Sequence, residues 1–125
     1  MNSSKRILVI EDEPNILKLV KFILESEGYQ VIEAYVGTEG IEKARSMMPD
    51  LIVLDVMMPN MDGFEVAKRL TTEEETKHIP ILMLSSKAQF EDKMKGIDSG
   101  ATDYITKPFE KEDLLEKVKE CLEGT

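Results

Sequence analysis

Acidic side chains follow two short apolar runs of the sequence. Glu11 and Asp12 come directly after residues 7–10, and Asp55 comes directly after residues 51–54. Carboxylates that meet in one pocket repel one another, so each resists ionisation unless a cation relieves the field. Oxygen ligands without His or Cys favour a hard ion, and so small a set with room for water favours Mg²⁺ over Ca²⁺. Glu11, Asp12 and Asp55 are therefore candidate metal ligands, whereas Glu13 is interpreted as a cap of the following helix.

Asp55 is also the candidate nucleophile, because it stands at the tip of an apolar strand before a turn that contains Pro59. A carboxylate in that position suits attack on phosphorus to form an acyl phosphate, when a metal and an ammonium neutralise the transferred group. Lys107 is the candidate ammonium, and Ser85 offers a hydroxyl to a phosphoryl oxygen. Taken alone, Ser85 would be interpreted as a strand-end hydroxyl bonded to the backbone. The Lys107-Pro108 bond is a candidate cis peptide that would aim the ammonium.

The elements that must bring these residues together alternate along the chain. Short β-branched runs predict strands, and three of them are continuously apolar, as is typical of central parallel strands covered on both faces. The strands are predicted at residues 6–10, 30–34, 51–55, 81–85 and 103–106. Stretches of helical period, closed by Gly or Pro, predict helices at residues 15–27, 38–48, 63–70, 91–99 and 111–122.

Five βα units require right-handed crossovers and a parallel sheet with helices on both faces. We therefore predict an α/β fold with a doubly wound, five-stranded parallel sheet, formed as a single domain over residues 1–125. Function in this architecture lies at the carboxyl ends of the strands. The acids after the first and third strands are thus expected on one rim with Ser85 and Lys107.

Composition narrows the class of protein. The 125 residues include 16 Lys+Arg and 25 Asp+Glu, a formal net charge of −9. This balance offers nucleic acids and anionic membranes no attraction, so neither is an expected direct partner. The single cysteine, Cys121, excludes an internal disulfide, indicates a reducing compartment and is interpreted as a core residue. No apolar stretch reaches a signal-peptide core or the roughly 20 residues of a membrane span, so we expect a soluble, cytoplasmic protein.

Residues 5–122 resemble the receiver domain of two-component response regulators, the CheY-like family. Each of the motifs would be a weak signal alone, but four in this order around five βα units are highly specific. They are ILVIEDEP at residues 7–14, LDVMMPNMDG at 54–63, LSS at 84–86 and GATDYITKPF at 100–109. The family implies the flavodoxin-like strand order 2-1-3-4-5 and a phosphorylation-dependent signalling switch rather than an enzyme.

The resemblance also implies a phosphoacceptor site. Asp55 would accept a phosphoryl group from the phosphohistidine of a sensor histidine kinase or a phosphotransfer protein. Mg²⁺, with Mn²⁺ as a substitute, would be held by Asp12, Asp55, the main-chain carbonyl of Met57 and waters, with Glu11 acting mainly through water. Lys107 would pair with the phosphoryl group.

Two switch residues and two tuning residues follow from the same resemblance. Ser85 would move towards the phosphoryl group while Tyr104 swings inward, although Tyr104 also fits a half-buried strand tyrosine. Met57 and Lys87 stand two residues beyond Asp55 and Ser85, at positions that overhang the site and tune dephosphorylation in this family. Glu11 stands where Asp is more frequent, and Ser85 stands where Thr is more frequent. The inner- or outer-sphere role of Glu11 therefore stays open.

The first predicted helix carries more apolar residues than one core face needs. Phe22 points away from the face formed by Leu17, Val20 and Leu24, and Leu19 lies on its flank. Single exposed apolar residues are ordinary. Beside the acidic rim, however, Leu19 and Phe22 suggest a docking surface, which is where this family binds its kinase.

The predicted fourth helix, fifth strand and fifth helix form the expected output face, with Phe90, Met94, Ile97 and Tyr104. Ordinary packing of Met94 and Ile97 explains part of this pattern. The face would serve a homodimer formed on phosphorylation, an output domain or a separate target. Whether the chain is a stand-alone regulator or the receiver portion of a longer protein stays open.

Two other functions use similar residues on a similar sheet. A phosphatase of the haloacid dehalogenase type needs a second Asp two residues after its nucleophile, and here that position is Met57. A flavodoxin-like module that binds FMN needs a phosphate loop rich in Gly, Ser and Thr after the first strand, where Glu11, Asp12 and Glu13 would repel a phosphate. The signalling interpretation is therefore preferred.

Overall fold

The computed structural model describes residues 5–56, 63–86 and 100–123. Within these ranges the strands are β1 (Arg6–Ile10), β2 (Gln30–Ala34), β3 (Leu51–Asp55), β4 (Ile81–Ser86) and β5 (Asp103–Lys107). The helices are α1 (Pro14–Ser26), α2 (Gly37–Met47), α3 (Gly63–Thr72) and α4 (Lys111–Glu123). The helix predicted at residues 91–99 lies outside the described residues, as do the predicted functional positions Met57 and Lys87.

The five strands form one parallel sheet in the order β2-β1-β3-β4-β5, as the sequence and the family resemblance predict. The register aligns the carboxyl ends of the strands: Ile10 lies opposite Leu54, and Ser86 lies opposite Lys107. Residues that end or directly follow β1, β3, β4 and β5 therefore share one rim of the sheet, although Glu11 and Lys107 are 96 positions apart in sequence.

Alternate side chains of the central strands enter two separate cores. On one face, Leu8 and Ile52 belong to a buried cluster that includes residues of α2 and α3. On the other face, Ile7 and Val53 belong to a cluster that includes residues of α1 and α4, among them Cys121. Burial on both faces explains why these strands are continuously apolar, since neither face meets water. The sheet is therefore doubly wound, as predicted.

The ends of the helices are set by local chemistry. The helix α1 begins one residue earlier than predicted, because Pro14 suits the first helical turn and the Glu13 carboxylate accepts a hydrogen bond from the Asn15 N–H at 3.0 Å. Thus Glu13 is a helix cap, as interpreted from the sequence. The helix α2 ends at Met47, and the residue after it, Met48, caps the helix in a left-handed conformation with φ of 48°. The Arg6 guanidinium donates to the carbonyl oxygens of Met47 and Met48.

Three details sharpen the sequence predictions. Lys107 is the last residue of β5 rather than a residue beyond the strand, and the Lys107-Pro108 peptide is cis.

Cys121 is buried in the core, as predicted, and burial raises the pKa of its thiol to about 11. None of the helices in the described part of the chain combines the length and apolar character that a bilayer span requires.

Candidate functional site

The Asp55 carboxylate lies at the centre of the rim. The strand that carries it is buried along its whole length, and Asp55 itself is only 3% exposed. The ammonium of Lys107, which reaches over from β5, donates a hydrogen bond to Asp55 Oδ1 at 2.9 Å. A buried carboxylate needs a charge partner of this kind, because burial without one disfavours the ionised form. The structure thus pairs the predicted nucleophile with the predicted ammonium.

Two further carboxylates complete an acidic cluster. Glu11 and Asp12 follow β1, the neighbour of β3, and oxygens of Glu11, Asp12 and Asp55 all lie within 4.8 Å of one another. Glu11 is fully buried, and Asp12 is partly exposed. The backbone holds Glu11 in place, since its N–H donates to the Ala34 carbonyl oxygen at 2.9 Å. The three acids are therefore brought together as the sequence predicts.

The electrostatics of Glu11 set it apart within the cluster. Its Oε2 accepts a hydrogen bond from the Glu13 N–H at 3.1 Å, whereas its Oε1 is a buried oxygen that has no hydrogen-bond partner within the described residues. Burial is the main cause that raises the pKa of Glu11 to about 8, and the adjacent Asp55 carboxylate adds to the effect. Ionised Glu11 is thus costly unless a cation approaches it.

The cluster fits a hard divalent cation. Its donors are carboxylate oxygens, with neither imidazole nor thiolate among them. The buried Glu11 Oε1 is left for a ligand or a metal-bound water, and the partly exposed Asp12 leaves one side of the site open to solvent. Mg²⁺ favours this combination, because it binds few carboxylates and keeps several waters.

The predicted switch residues lie on β4, the neighbour of β3, and on β5, the strand beyond it at the edge of the sheet. Ser85, on β4, is 4% exposed and stands opposite Thr106 of β5 in the register. Tyr104, on β5, is partly buried and packs against the core cluster on the α2 and α3 face. Ser85 is thus near the rim, and Tyr104 lies two pairs further back along the same two strands, opposite Met83. Met57 and Lys87 are not among the described residues.

An apolar cavity of about 410 Å³ opens beside Lys107, and Ile16 and Leu19 of α1 line it together with Pro108 and Phe109. Leu19 was predicted as part of a docking surface, whereas the positions of Ile16, Pro108 and Phe109 beside it were not predicted. The available signal was the Pro-Phe pair directly after Lys107, which had to lie near the ammonium. Phe22 is 69% exposed and Leu19 is 50% exposed, so α1 presents apolar surface next to this cavity.

Comparisons with known proteins point to one family. The family profile described as response regulator receiver domain matches residues 7–119. The DNA-binding dual master transcriptional regulator RpaA of Synechocystis sp. is 48% identical over 120 residues, which are 96% of this chain and 50% of RpaA. The chain therefore spans about half the length of the curated relatives that it matches first.

Solved structures show the same fold. The chemotaxis protein CheY4 of Vibrio cholerae has a TM-score of 0.89 at 36% identity, covering 94% of this chain and 98% of that one. The receiver domain of the sensor histidine kinase PA1611 from Pseudomonas aeruginosa has a TM-score of 0.88 at 26% identity, covering 97% of this chain and 98% of that one. That structure has a magnesium ion coordinated in its active site cleft.

Proposed function

The chain belongs to the response regulator receiver domain family of two-component systems, and we propose that Asp55 is the residue that is phosphorylated. The general function of this family is a phosphorylation-dependent switch. One observation carries the proposal. The buried Asp55 carboxylate lies 2.9 Å from the Lys107 ammonium and clusters with the Glu11 and Asp12 carboxylates. A carboxylate nucleophile needs compensating positive charge and a cation site of this kind to accept a phosphoryl group.

In the proposed reaction a carboxylate oxygen of Asp55 attacks the phosphorus of a phosphohistidine. The new O–P bond forms as the N–P bond breaks, and the donor histidine leaves with the electron pair of that bond. Lys107 neutralises negative charge on the phosphoryl oxygens, and Ser85 donates a hydrogen bond to one of them. The product is an acyl phosphate on Asp55.

We propose Mg²⁺ as the cofactor, with Mn²⁺ as a substitute. Asp12 and Asp55 would hold the ion directly, the Met57 carbonyl would add a further oxygen, and Glu11 would act directly or through water. The unpartnered Glu11 oxygen and the oxygen-only donor set support this choice. When bound, the ion neutralises charge on the transferred group.

The switch and its lifetime are assigned to four residues. Ser85 moves towards the phosphoryl group and Tyr104 turns inward, which changes the surface of β5. Met57 and Lys87, at positions that tune dephosphorylation in this family, would set the rate at which water removes the phosphoryl group. Partial burial of Tyr104 against the core supports its role, since such a side chain can occupy an inner or an outer position.

The phosphoryl donor is a sensor histidine kinase or a phosphotransfer protein, and we propose that it docks on Leu19 and Phe22. Their exposure and the apolar cavity beside Lys107 support this assignment, because both lie next to the route towards Asp55. A docked helix would cover apolar side chains and exclude water from the reaction.

The output partner is proposed to bind the face of β5, α4 and the helix predicted at residues 91–99. It is an output domain, a target protein or a second copy of this chain bound on phosphorylation. We infer a cytoplasmic signalling domain that assists only its own phosphorylation and dephosphorylation and makes no direct contact with nucleic acid or membrane. The single-domain organisation over residues 1–125 stays a prediction.

Phosphorylation by acetyl phosphate tests the central assignment. With MgCl₂ present, the intact mass of the protein should increase by one phosphoryl group, and Asp55→Asn should abolish this increase because the amide is no nucleophile. Chelation of the metal with EDTA should abolish it as well.

Asp50→Asn is the matched control, since Asp50 stands immediately before β3 and Asp55 ends it. Its carboxylate accepts a hydrogen bond from the Arg6 N–H at 2.8 Å, far from the rim. The Asp50→Asn protein should be labelled as fully as the parent. Equal labelling of the Asp55→Asn protein would refute the proposed function.

A further inference from the structure

Gly63, the first residue of α3, lies directly against the backbone at the end of β3. A Cβ at this position would stand 2.5 Å from the carbonyl oxygen of Asp55 and 2.7 Å from the Cα of Val56. Both distances are below 3.0 Å, a separation that real Cβ atoms essentially never go under. The two neighbours are main-chain atoms, so no rotation of a side chain relieves the overlap.

A hydrogen bond holds the two segments in this close contact. The Gly63 N–H donates to the Val56 carbonyl oxygen at 2.8 Å. Val56 is itself tied to the sheet, because its N–H donates to the Leu84 carbonyl oxygen at 3.0 Å. The start of α3, the end of β3 and the end of β4 are thus joined through the residue next to Asp55.

A methyl group at position 63 would therefore move Asp55 rather than a neighbouring side chain. The main chain at Gly63 and the main chain at Asp55 and Val56 must separate by at least about half an ångström. Functional groups of a site have to be held to within about that distance of their working positions. The displaced peptide carries the carboxylate that Lys107 contacts at 2.9 Å.

We propose that Gly63 is a positioning residue, and that its missing side chain keeps the Asp55 carboxylate where Lys107, Glu11 and Asp12 meet it. The assignment rests on the proposed function, since it concerns Asp55 as the phosphoacceptor. Gly63 touches neither the metal nor the phosphoryl group in this arrangement. It acts through the backbone of Asp55.

Gly100 offers a matched control position, because it lies against Thr71 at the other end of α3. A Cβ there would stand 2.8 Å from Oγ1 of Thr71, a side-chain atom in the last turn of α3, and the φ of Gly100 is 93°. A residue with a side chain is strained at that φ. Gly100→Ala should therefore destabilise the protein without moving the Asp55 backbone.

The test compares Gly63→Ala with Gly100→Ala in the full chain. Calorimetric titration with MgCl₂ measures metal affinity in the unphosphorylated protein, and the rate of labelling by acetyl phosphate at saturating Mg²⁺ measures phosphorylation. Both variants should have lower melting temperatures than the parent. Only Gly63→Ala should weaken Mg²⁺ binding by about tenfold and slow labelling by about tenfold or more, because a displaced nucleophile loses rate steeply.

Parental metal affinity and labelling rate in the Gly63→Ala protein would overturn the inference, as would equal losses in the Gly100→Ala protein. If the parent itself were not labelled on Asp55, the proposed function would fail, while the MgCl₂ titrations would still decide whether Gly63 positions the carboxylate. If Gly63→Ala does not fold in buffer, both variants are compared in trimethylamine N-oxide. A Gly63→Ala protein that stays unfolded there while Gly100→Ala folds would assign Gly63 to the fold instead.

Discussion

Glu11 is the residue at which folding and site chemistry compete. Its side chain is fully buried, and one of its oxygens has no hydrogen-bond partner within the described residues. A buried unpaired carboxylate opposes folding, because the charged form loses its hydration without compensation. The same oxygen becomes useful once a cation is present. In the proposed metal site, Glu11 therefore lowers the stability of the metal-free protein and is compensated when the cation binds.

The first prediction concerns the pH dependence of the metal-free protein. The pKa of Glu11 is raised from 4.5 to about 8 in the folded state. Below pH 4.5 the folded and unfolded states both hold the proton, and Glu11 costs no stability. As pH rises from 4.5 to about 8, the unfolded state releases the proton while the folded state keeps it, so stability falls until the folded state is ionised as well. In EDTA, Glu11→Gln should therefore raise the melting temperature at about pH 8.5 by roughly 4 °C or more, with a smaller gain near pH 5.5. Thermal melts followed by circular dichroism measure this difference.

Addition of MgCl₂ provides the control for this experiment. In the proposed site the ion would stabilise the folded parent through Glu11 and its neighbours, so the advantage of the Glu11→Gln protein should shrink or reverse at high pH. A gain in melting temperature that is equal at both pH values would contradict the assigned cause, since it would not depend on ionisation.

The second prediction separates the two charges of the site. The Lys107 ammonium contacts the Asp55 carboxylate at 2.9 Å, and in the proposed site Mg²⁺ would neutralise the same carboxylate. Lys107→Met should therefore tighten Mg²⁺ binding, because the competing positive charge is gone, while it slows phosphorylation by acetyl phosphate by about 100-fold or more. Titration calorimetry and the rate of mass increase measure the two effects. Weaker Mg²⁺ binding in this variant would show that Lys107 organises the carboxylates rather than competing for them.

At the scale of elements, α1 has a buried face that packs against the sheet and an outer face with exposed apolar residues. Its residues Leu17, Val20, Ile23 and Leu24 are buried against the sheet. Leu19 and Phe22 are exposed on the same helix, and Leu19 lines the cavity beside Lys107. The inner face therefore anchors the helix to the sheet, while the outer face is the proposed docking surface for the phosphoryl donor.

The third prediction tests this outer face. Phe22→Glu should slow phosphotransfer from a purified histidine kinase that labels the parent by about tenfold or more, because a buried aromatic contact is lost. Labelling by acetyl phosphate should be unchanged. Met47→Glu, which alters an exposed apolar residue at the end of α2, should change neither rate. Equal loss of kinase and acetyl phosphate labelling in the Phe22→Glu protein would place the defect in the site itself.

The elements were largely predictable from the sequence, whereas several determinants of the site were not. Apolar β-branched runs and the acids after them predict both the strands and the rim, because parallel strands bring their carboxyl ends together. The helix α3 runs two residues further than predicted, to Thr72, where the Thr71 and Thr72 hydroxyls donate to carbonyl oxygens one turn back. The raised pKa of Glu11 and the contact of Gly63 with Asp55 depend on distances across the fold, which a motif does not contain.

At the scale of the whole molecule, the two cores fix the sheet whose rim carries the three clustered carboxylates. The strands that carry Asp55 and precede Glu11 are buried on both faces, so the carboxylates cannot spread apart by moving their backbones. The formal net charge of −9 adds a general repulsion to the local one. Any salt relieves the general repulsion by screening, whereas the local one is relieved by positive charge at the site itself, from the Lys107 ammonium or a bound cation.

The last prediction uses this difference. MgCl₂ should raise the melting temperature of the parent more than NaCl of equal ionic strength, because binding to the folded state adds to screening. Asp12→Asn should remove most of that excess, while the smaller effect of NaCl remains, since one surface-accessible charge among 25 acids hardly changes the general repulsion. Asp50→Asn makes the same change in net charge away from the rim and should keep the excess. An excess that persists in the Asp12→Asn protein would place the stabilising ion elsewhere on the acidic surface.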